Sequence, residues 1–180
     1  MRKMLLNLHY QINTNINRKI NKVMDTKNKL GLDLSTVQSI ITGLNDLLAN
    51  HQVYYTNLRG LHWDIKGDKF FELHELYEEY YNDEASIIDE TAERIAMLGG
   101  HPENRFSEYL KQTEIKEIHS ISDWEAGVNL IISSMQTFLK KNRALLQLAI
   151  DANDSGTTTL VRKHITDLES KIWKLTAYMA

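Results

Sequence analysis

Two histidines and two carboxylates stand out in this sequence as groups that could bind a metal: His62, His74, Asp89 and Glu93. Imidazole and carboxylate together suit first-row transition metals, and iron is among them. Asp89 and Glu93 are four residues apart, so on a helix both carboxylates face the same way. The residue types and this spacing therefore indicate a metal site.

The wider spacing argues against assembly of that site within one chain. His74 and Asp89 fall on one predicted helix, and the fifteen residues between them span about 22 Å at 1.5 Å per residue. Metal–ligand bonds are only about 2.0–2.2 Å long. Either the residues serve two unrelated sites, or the helix packs antiparallel against its twofold copy. The second arrangement brings His74 of one chain to Asp89 and Glu93 of the other, twice in each dimer.

Helix geometry adds one more candidate ligand. His74 and Asp89 share roughly one face, because fifteen helical residues turn about 60° beyond whole turns, and Glu78 shares that face too. Asp89 lies in an apolar stretch between Ile88 and Ala92, which predicts that it is buried and needs a partner or a metal. Taken singly, each of these residues is more often a packing, surface or ion-paired residue than a ligand.

Apolar residues recur at three- and four-residue spacing through most of the chain, which predicts four long α-helices. Asp33 or Ser35 is the expected N-cap of the first helix, and Ser122 forms a capping box with Glu125 at the start of the third. Gly99 and the residues that follow it stop the second helix. The predicted helices cover about 35–65, 70–98, 122–150 and 157–178.

A connection of about twenty residues joins the second and third long helices, which is too long for a simple hairpin. Phe106, Tyr109 and Leu110 predict a short helix within it. Four long helices with one long crossover match the ferritin-like four-helix bundle. We therefore expect an all-α protein of that class.

Composition limits the class of protein further. The 180 residues carry a net charge of −3 and no cysteine, which excludes disulfides and thiolate ligands and fits a reducing compartment. No apolar run approaches the roughly 20 residues of a membrane span. The N-terminus also lacks the apolar core and cleavage site of a secretory signal. We therefore expect one cytoplasmic domain with no membrane partner.

Residues 1–23 differ from the rest of the chain. They carry five basic residues and no acidic one, and the globular pattern begins only after Met24, so we expect the helical domain to cover residues 24–180. The segment is interpreted as a flexible extension, which lies upstream of the natural start if that start is Met24. The alternatives are a basic arm that touches phosphates through charge, or an added short helix.

Two segments carry a resemblance to a known family. The chain resembles the Dps proteins, the twelve-subunit miniature ferritins, in the segments LRGLHWDIKGDKFFELHELYEEYYND and IIDETAERIAMLGGHP. The resemblance extends from about residue 30 to the end. It implies that His62 and His74 are iron ligands from one subunit, with Asp89 and Glu93 from the twofold neighbour. It also places Glu78 near the site. Full-size ferritins instead use Glu-x-x-His motifs within one subunit, and this chain has none.

The resemblance also implies a function. A dodecameric cage would bind Fe(II) at each dimer seam, oxidise it, preferably with hydrogen peroxide, and store Fe(III) inside. A second hypothesis is a DNA-binding, nucleoid-protecting protein that acts through the basic N-terminal segment. A helical bundle without any metal is the third.

Other residues admit more than one interpretation. Trp63 is either a core or interface aromatic or, as the resemblance implies, an aromatic close to the iron that could give up an electron. Asp151 and Asp154 are turn and capping residues, or an acidic ring at a threefold pore that attracts Fe(II). Tyr54 and Tyr55 indicate packing. The remaining histidines form no recognisable ligand set: His9, His51, His101, His119 and His164.

Overall fold

The computed structural model describes residues 26–180, so the predictions about residues 1–23 lie outside the described residues. The described part holds five α-helices and no β-strand: α1 (Leu34–Asp64), α2 (Phe70–Met97), α3 (Phe106–Gln112), α4 (Trp124–Asp151) and α5 (Ser155–Tyr178). Four long helices with a short one in the crossover confirm the predicted all-α bundle. Within residues 26–180, no helix is long and apolar enough to cross a membrane.

The turn between α1 and α2 determines where two predicted ligands lie. Gly67 has a φ of 96°, in the left-handed region that favours glycine. The Phe70 N–H donates to the Gly67 carbonyl at 3.2 Å, which starts α2 directly after the turn. The short connection places the last turn of α1, with His62, beside the first turns of α2, with His74.

The core lies between the four long helices. α1 packs most extensively against α2 and α4 against α5, and α1 also contacts α4 and α3. Burying one large apolar side chain stabilises the fold by about 1.5–3 kcal/mol, so this core is the main source of stability. Among its fully buried side chains are Leu44, Leu58, Tyr77, Ile131 and Phe138.

Two buried asparagines of α1 hold the crossover in place. The Asn50 side-chain oxygen accepts from the N–H groups of Glu114 and Ile115, at 2.9 and 3.2 Å. The Asn57 amide donates to the Lys116 carbonyl at 2.8 Å, and its oxygen accepts from Ile118 N–H at 3.2 Å. These bonds satisfy backbone groups that the irregular segment would otherwise leave unpaired.

The helix N-termini correct two predicted boundaries. Asp33 is the N-cap of α1, since its carboxylate accepts from Ser35 N–H at 2.9 Å, which decides between the two predicted candidates. The N-cap of α4 is Asp123 rather than Ser122, because the Asp123 carboxylate reaches Ala126 N–H at 2.8 Å. α5 begins at Ser155 and not near Thr157, because Asp154 caps it. In each case a carboxylate accepts one of the free N–H groups of the first turn.

Candidate metal centre

His62 and His74 lie against each other where α1 ends and α2 begins. His62 Nδ1 is 2.8 Å from the backbone oxygen of His74, and His74 Nδ1 is 2.9 Å from the backbone oxygen of His62. The two rings stack with centroids 3.7 Å apart and planes 20° apart. This reciprocal pair fixes both rings and ties the two helices together.

These hydrogen bonds decide which ring nitrogens are left to bind a metal. A carbonyl oxygen only accepts, so each Nδ1 carries the proton and donates it. In a neutral imidazole the lone pair then lies on Nε2. Metal-binding histidines ordinarily have this arrangement, with the other ring N–H donated to a carbonyl or carboxylate. Both histidines therefore offer Nε2 as a ligand atom.

Aromatic side chains surround the histidine pair. Phe70 stacks on His74 with centroids 4.8 Å apart, and Tyr81 meets His62 edge-on at 5.4 Å. His62 is buried and His74 is half-buried. Desolvation and the neighbouring Glu78 carboxylate raise the pKa of Tyr81, so Glu78 lies beside Tyr81, whose ring in turn contacts His62. A role for Glu78 as a ligand stays a prediction.

Asp89 and Glu93 lie nearer the other end of α2, and both are exposed. The prediction that Asp89 is buried is therefore wrong for the single chain. Ile88 and Ala92 are four residues apart and pack against the core, whereas Asp89 is rotated by about 100° from Ile88 and by about 60° from Ala92. The apolar neighbours thus surround Asp89 in the sequence but not in space.

The two histidines and the two carboxylates do not meet within one chain. About 22 Å of α2 separates His74 from Asp89. Among residues 26–180 no group of three or more His, Cys, Asp or Glu side chains is arranged to hold a metal ion. The chain thus presents two separate halves of a donor set, a histidine pair and a carboxylate pair. Their union across a twofold axis stays a prediction.

Asp154 has a structural role that excludes it from a pore. It is only 2% exposed, and it accepts from Thr157 N–H at 3.0 Å as the N-cap of α5. It also pairs with the Arg94 guanidinium at 2.5 Å, which ties the end of α2 to α5 directly beside Glu93. The capping interpretation is correct for Asp154. Asp151 is exposed at the end of α4 and accepts from Gln147 at 2.8 Å, so a pore role for Asp151 stays a prediction.

Trp63, next to His62, is not a core residue. Its side chain is 65% exposed, and the Arg59 guanidinium lies 4.8 Å from its ring centroid. An exposed aromatic stacked by a cation fits either of the remaining interpretations, an interface residue or an aromatic close to the metal.

A third group of polar residues lies at the centre of the bundle, and it was not predicted from the sequence. His51 of α1, Glu84 of α2 and His164 of α5 are all buried, with His51 Nδ1 in contact with Glu84 Oε1. Each occupies a position in the apolar stripe of its helix, as in the series Leu44, His51, Leu58. A polar residue at a helix position that faces the core is the sequence signal that could have predicted this buried group. The fold brings His51 and His164 near each other, with ring centroids 6.4 Å apart, but among residues 26–180 they belong to no group that could hold a metal ion.

Comparisons with known proteins define the class. The profile of the ferritin-like domain matches residues 41–180, most of the chain. The chain is 46% identical over 148 residues to the DNA protection during starvation protein of Porphyromonas gingivalis, covering 82% of this chain and 93% of the relative. It is 34% identical over 142 residues to DNA protection during starvation protein 2 of Bacillus anthracis, covering 79% and 97% of the two chains.

A solved structure gives the same result. The Dps protein of Vibrio cholerae O1, described as a member of a superfamily of ferritin-like diiron-carboxylate proteins, superposes with a TM-score of 0.85. It is 40% identical and covers 86% of this chain and 98% of its own. The fold and the comparisons thus define a ferritin-like protein. Within that class, this chain belongs to the Dps family, as its sequence resemblance indicated.

Proposed function

We propose that this protein is a mini-ferritin that oxidises Fe(II) at sites shared between twofold-related subunits and stores the Fe(III) product in a dodecameric cage. One observation carries the proposal. The His62 and His74 rings are each held by the other residue's backbone carbonyl, which leaves Nε2 of both as a ligand atom. The matching carboxylates, Asp89 and Glu93, are exposed towards the other end of α2, the helix that carries His74. A second chain, packed antiparallel, supplies what each chain lacks.

The donor set fits the substrate. Imidazole and carboxylate ligands accept both Fe(II) and Fe(III), and carboxylates favour the higher charge of the oxidised ion. With Glu78 beside the histidine pair, each dimer seam holds enough donors for two ions. We propose hydrogen peroxide as the preferred oxidant. Two Fe(II) ions each lose one electron, and the peroxide takes up both electrons and two protons as its O–O bond breaks to give two water molecules, so no hydroxyl radical is released.

The direct test compares oxidation rates on protein of known assembly state. Light scattering during gel filtration gives the subunit number, and stopped-flow absorbance follows Fe(III) formation with equimolar peroxide or with oxygen. We expect a dodecamer and faster oxidation by peroxide. His62→Gln with His74→Gln removes the imidazoles but keeps an N–H donor for each carbonyl, and His101→Gln is the control at an exposed histidine. Unchanged oxidation in the double variant contradicts the proposed ligands.

DNA binding is the second candidate function. The relative from Porphyromonas gingivalis is named for DNA protection, and residues 1–23 of this chain carry five basic and no acidic residues. Binding through that segment is electrostatic and independent of base sequence. A gel-shift assay at low salt, on the full chain and on a chain that begins at Met24, decides whether it occurs. The proposed setting for either function is the cytoplasm.

A further inference from the structure

The carboxylate half of the proposed iron site has nothing in its own chain to hold it in place. Asp89 and Glu93 are both exposed, and among residues 26–180 neither side chain forms a hydrogen bond or an ion pair. The histidine half differs, because His62 and His74 hold each other's rings. The direction of the two carboxylates therefore depends on how α2 itself is held in the bundle.

Three ion pairs join one stripe of α2 to α5 and the N-cap of α5. In order along α2 they are Asp83 with Lys171, Glu90 with Lys163, and Arg94 with Asp154. The first two lie at the surface, where ion pairs hold a structure weakly. The third is largely buried, with side chains that are 13% and 1% exposed. Of the three, the Arg94 contact is therefore best able to fix α2 against α5.

The Arg94 guanidinium belongs to a closed set of hydrogen bonds. Its Nη2 donates to Asp154 Oδ1 at 2.5 Å, and its Nε donates to Thr157 Oγ1 at 2.9 Å. The Thr157 hydroxyl in turn donates to Asp154 Oδ2 at 2.6 Å. Because the donors of arginine form a rigid planar fork, two bonds from one guanidinium fix its direction as well as its distance. The last turns of α2 are thus tied to the first turn of α5 in one orientation.

Gly156, in the first turn of α5, leaves the space that the guanidinium occupies. A Cβ atom at this position would lie 2.8–2.9 Å from Nη1, Cζ and Nη2 of Arg94. That is well inside the contact distance of about 3.5–4.0 Å between carbon atoms. Any other residue at position 156 would therefore push the guanidinium away from α5.

Helix geometry connects this contact to the carboxylates. Asp89 and Glu93 directly precede Glu90 and Arg94, so each carboxylate lies about 100° around α2 from the stripe that meets α5. Side-chain ends lie about 5–6 Å from a helix axis, so a rotation of α2 by about 10° moves each carboxylate by about 1 Å. A displacement of that size at a reacting centre can slow a reaction about 100-fold. The contact that fixes the rotation of α2 therefore matters for the site.

We propose that Arg94 is a positioning residue for the carboxylate half of the iron site. Its contacts with Asp154 and Thr157 fix the rotation of α2 about its own axis. That rotation aims Asp89 and Glu93 at the histidine pair of a twofold-related subunit. The inference rests on the proposed function, and it adds to that function a residue that binds no iron itself.

Mixed assemblies of two chains separate positioning from a general loss of stability. A chain with His62→Gln and His74→Gln can supply only carboxylates, and a chain with Asp89→Asn and Glu93→Gln can supply only histidines. When one chain of each kind forms a dimer, one site is complete, and its carboxylates come from the first chain. Arg94→Lys keeps the charge but loses the planar fork. It is introduced into the carboxylate-donating chain or into the histidine-donating chain, but not into both.

The expected result depends on which chain carries Arg94→Lys. Stopped-flow absorbance follows Fe(III) formation with peroxide in the refolded mixtures, and anaerobic calorimetry gives their affinity for Fe(II). In the carboxylate-donating chain, Arg94→Lys should lower the rate at saturating Fe(II) by about tenfold or more and should weaken Fe(II) binding. In the histidine-donating chain it should change neither. Lys163→Gln, which removes an exposed pair on the same stripe, is the control and should have little effect in either chain.

Equal losses from the two placements of Arg94→Lys would show a structural role only and would overturn the inference, as would no loss from either. If Arg94→Lys does not assemble, Gly156→Ala replaces it, because the added Cβ displaces the guanidinium without removing a donor. It should show the same dependence on the chain that carries it. A mixture that fails to recover activity with Arg94 intact in both chains overturns the shared site and this inference with it. Recovery that does not depend on the placement of the substitution overturns this inference alone.

Discussion

Complementation between two inactive variants tests the shared site most sharply. One variant carries His62→Gln and His74→Gln, and the other carries Asp89→Asn and Glu93→Gln. Each substitution is close in size to the residue it replaces, and both carboxylates are exposed, so we expect both chains to fold. Alone, each assembly lacks half of the donors at every twofold seam and should oxidise Fe(II) slowly.

The geometry sets the size of the recovery in a mixed assembly. About 22 Å of α2 keeps His74 away from the carboxylates of its own chain. In a dimer of one chain of each kind, one seam site has all its donors and the other has none. Random pairing of equal amounts makes about half of the dimers mixed, so about one quarter of all sites are complete.

The assay unfolds the two variants together and refolds them as one mixture. The initial rate of Fe(III) formation with peroxide should return to about one quarter of the native rate, well above either variant refolded alone. Gel filtration confirms that the assemblies are of native size. A mixture no faster than its parents, in assemblies of native size, would refute the shared site, because it would mean that each chain uses ligands of its own.

Three further predictions concern stability and DNA. Asp154→Ala should lower the free energy of unfolding by about 3 kcal/mol or more, because it leaves Arg94 without its partner and α5 without its cap, whereas Asp151→Ala should cost little; urea unfolding measures both. Burial lowers the pKa of His164 from 6.5 to about 4 on folding, so the unfolded chain binds more protons between those values, and the stability of the fold should decrease as pH drops from 6.5 towards 4. His164→Gln should flatten that pH dependence. If residues 1–23 bind DNA through five cations, log affinity against log salt should have a slope of about −4 to −5. Deleting that segment should abolish binding and leave iron oxidation unchanged.

Much of the fold was predictable because its determinants are local. The three- and four-residue apolar spacing defined four long helices, and the structure places their bounds within about two residues of the predicted ones. The separation of His74 from Asp89 was also predictable, because the rise per residue of a helix is fixed. The predicted N-cap of α4, Ser122, was wrong, because the neighbouring Asp123 is an equally good N-cap and only backbone geometry selects between them.

The chemical state of the side chains required the tertiary structure. The sequence named His62 and His74, but only the α1–α2 turn shows that each Nδ1 donates to the other's carbonyl and leaves Nε2 free. The exposure of Asp89 and the buried contact of His51 with Glu84 likewise depend on how whole helices rotate against one another. Periodicity fixes which residues share a face of one helix, but a hydrogen bond between helices depends on a packing that no local pattern encodes. The sequence by itself therefore determined the helices, the donor types and their separation, and the packing of the helices decided which atoms are free to bind.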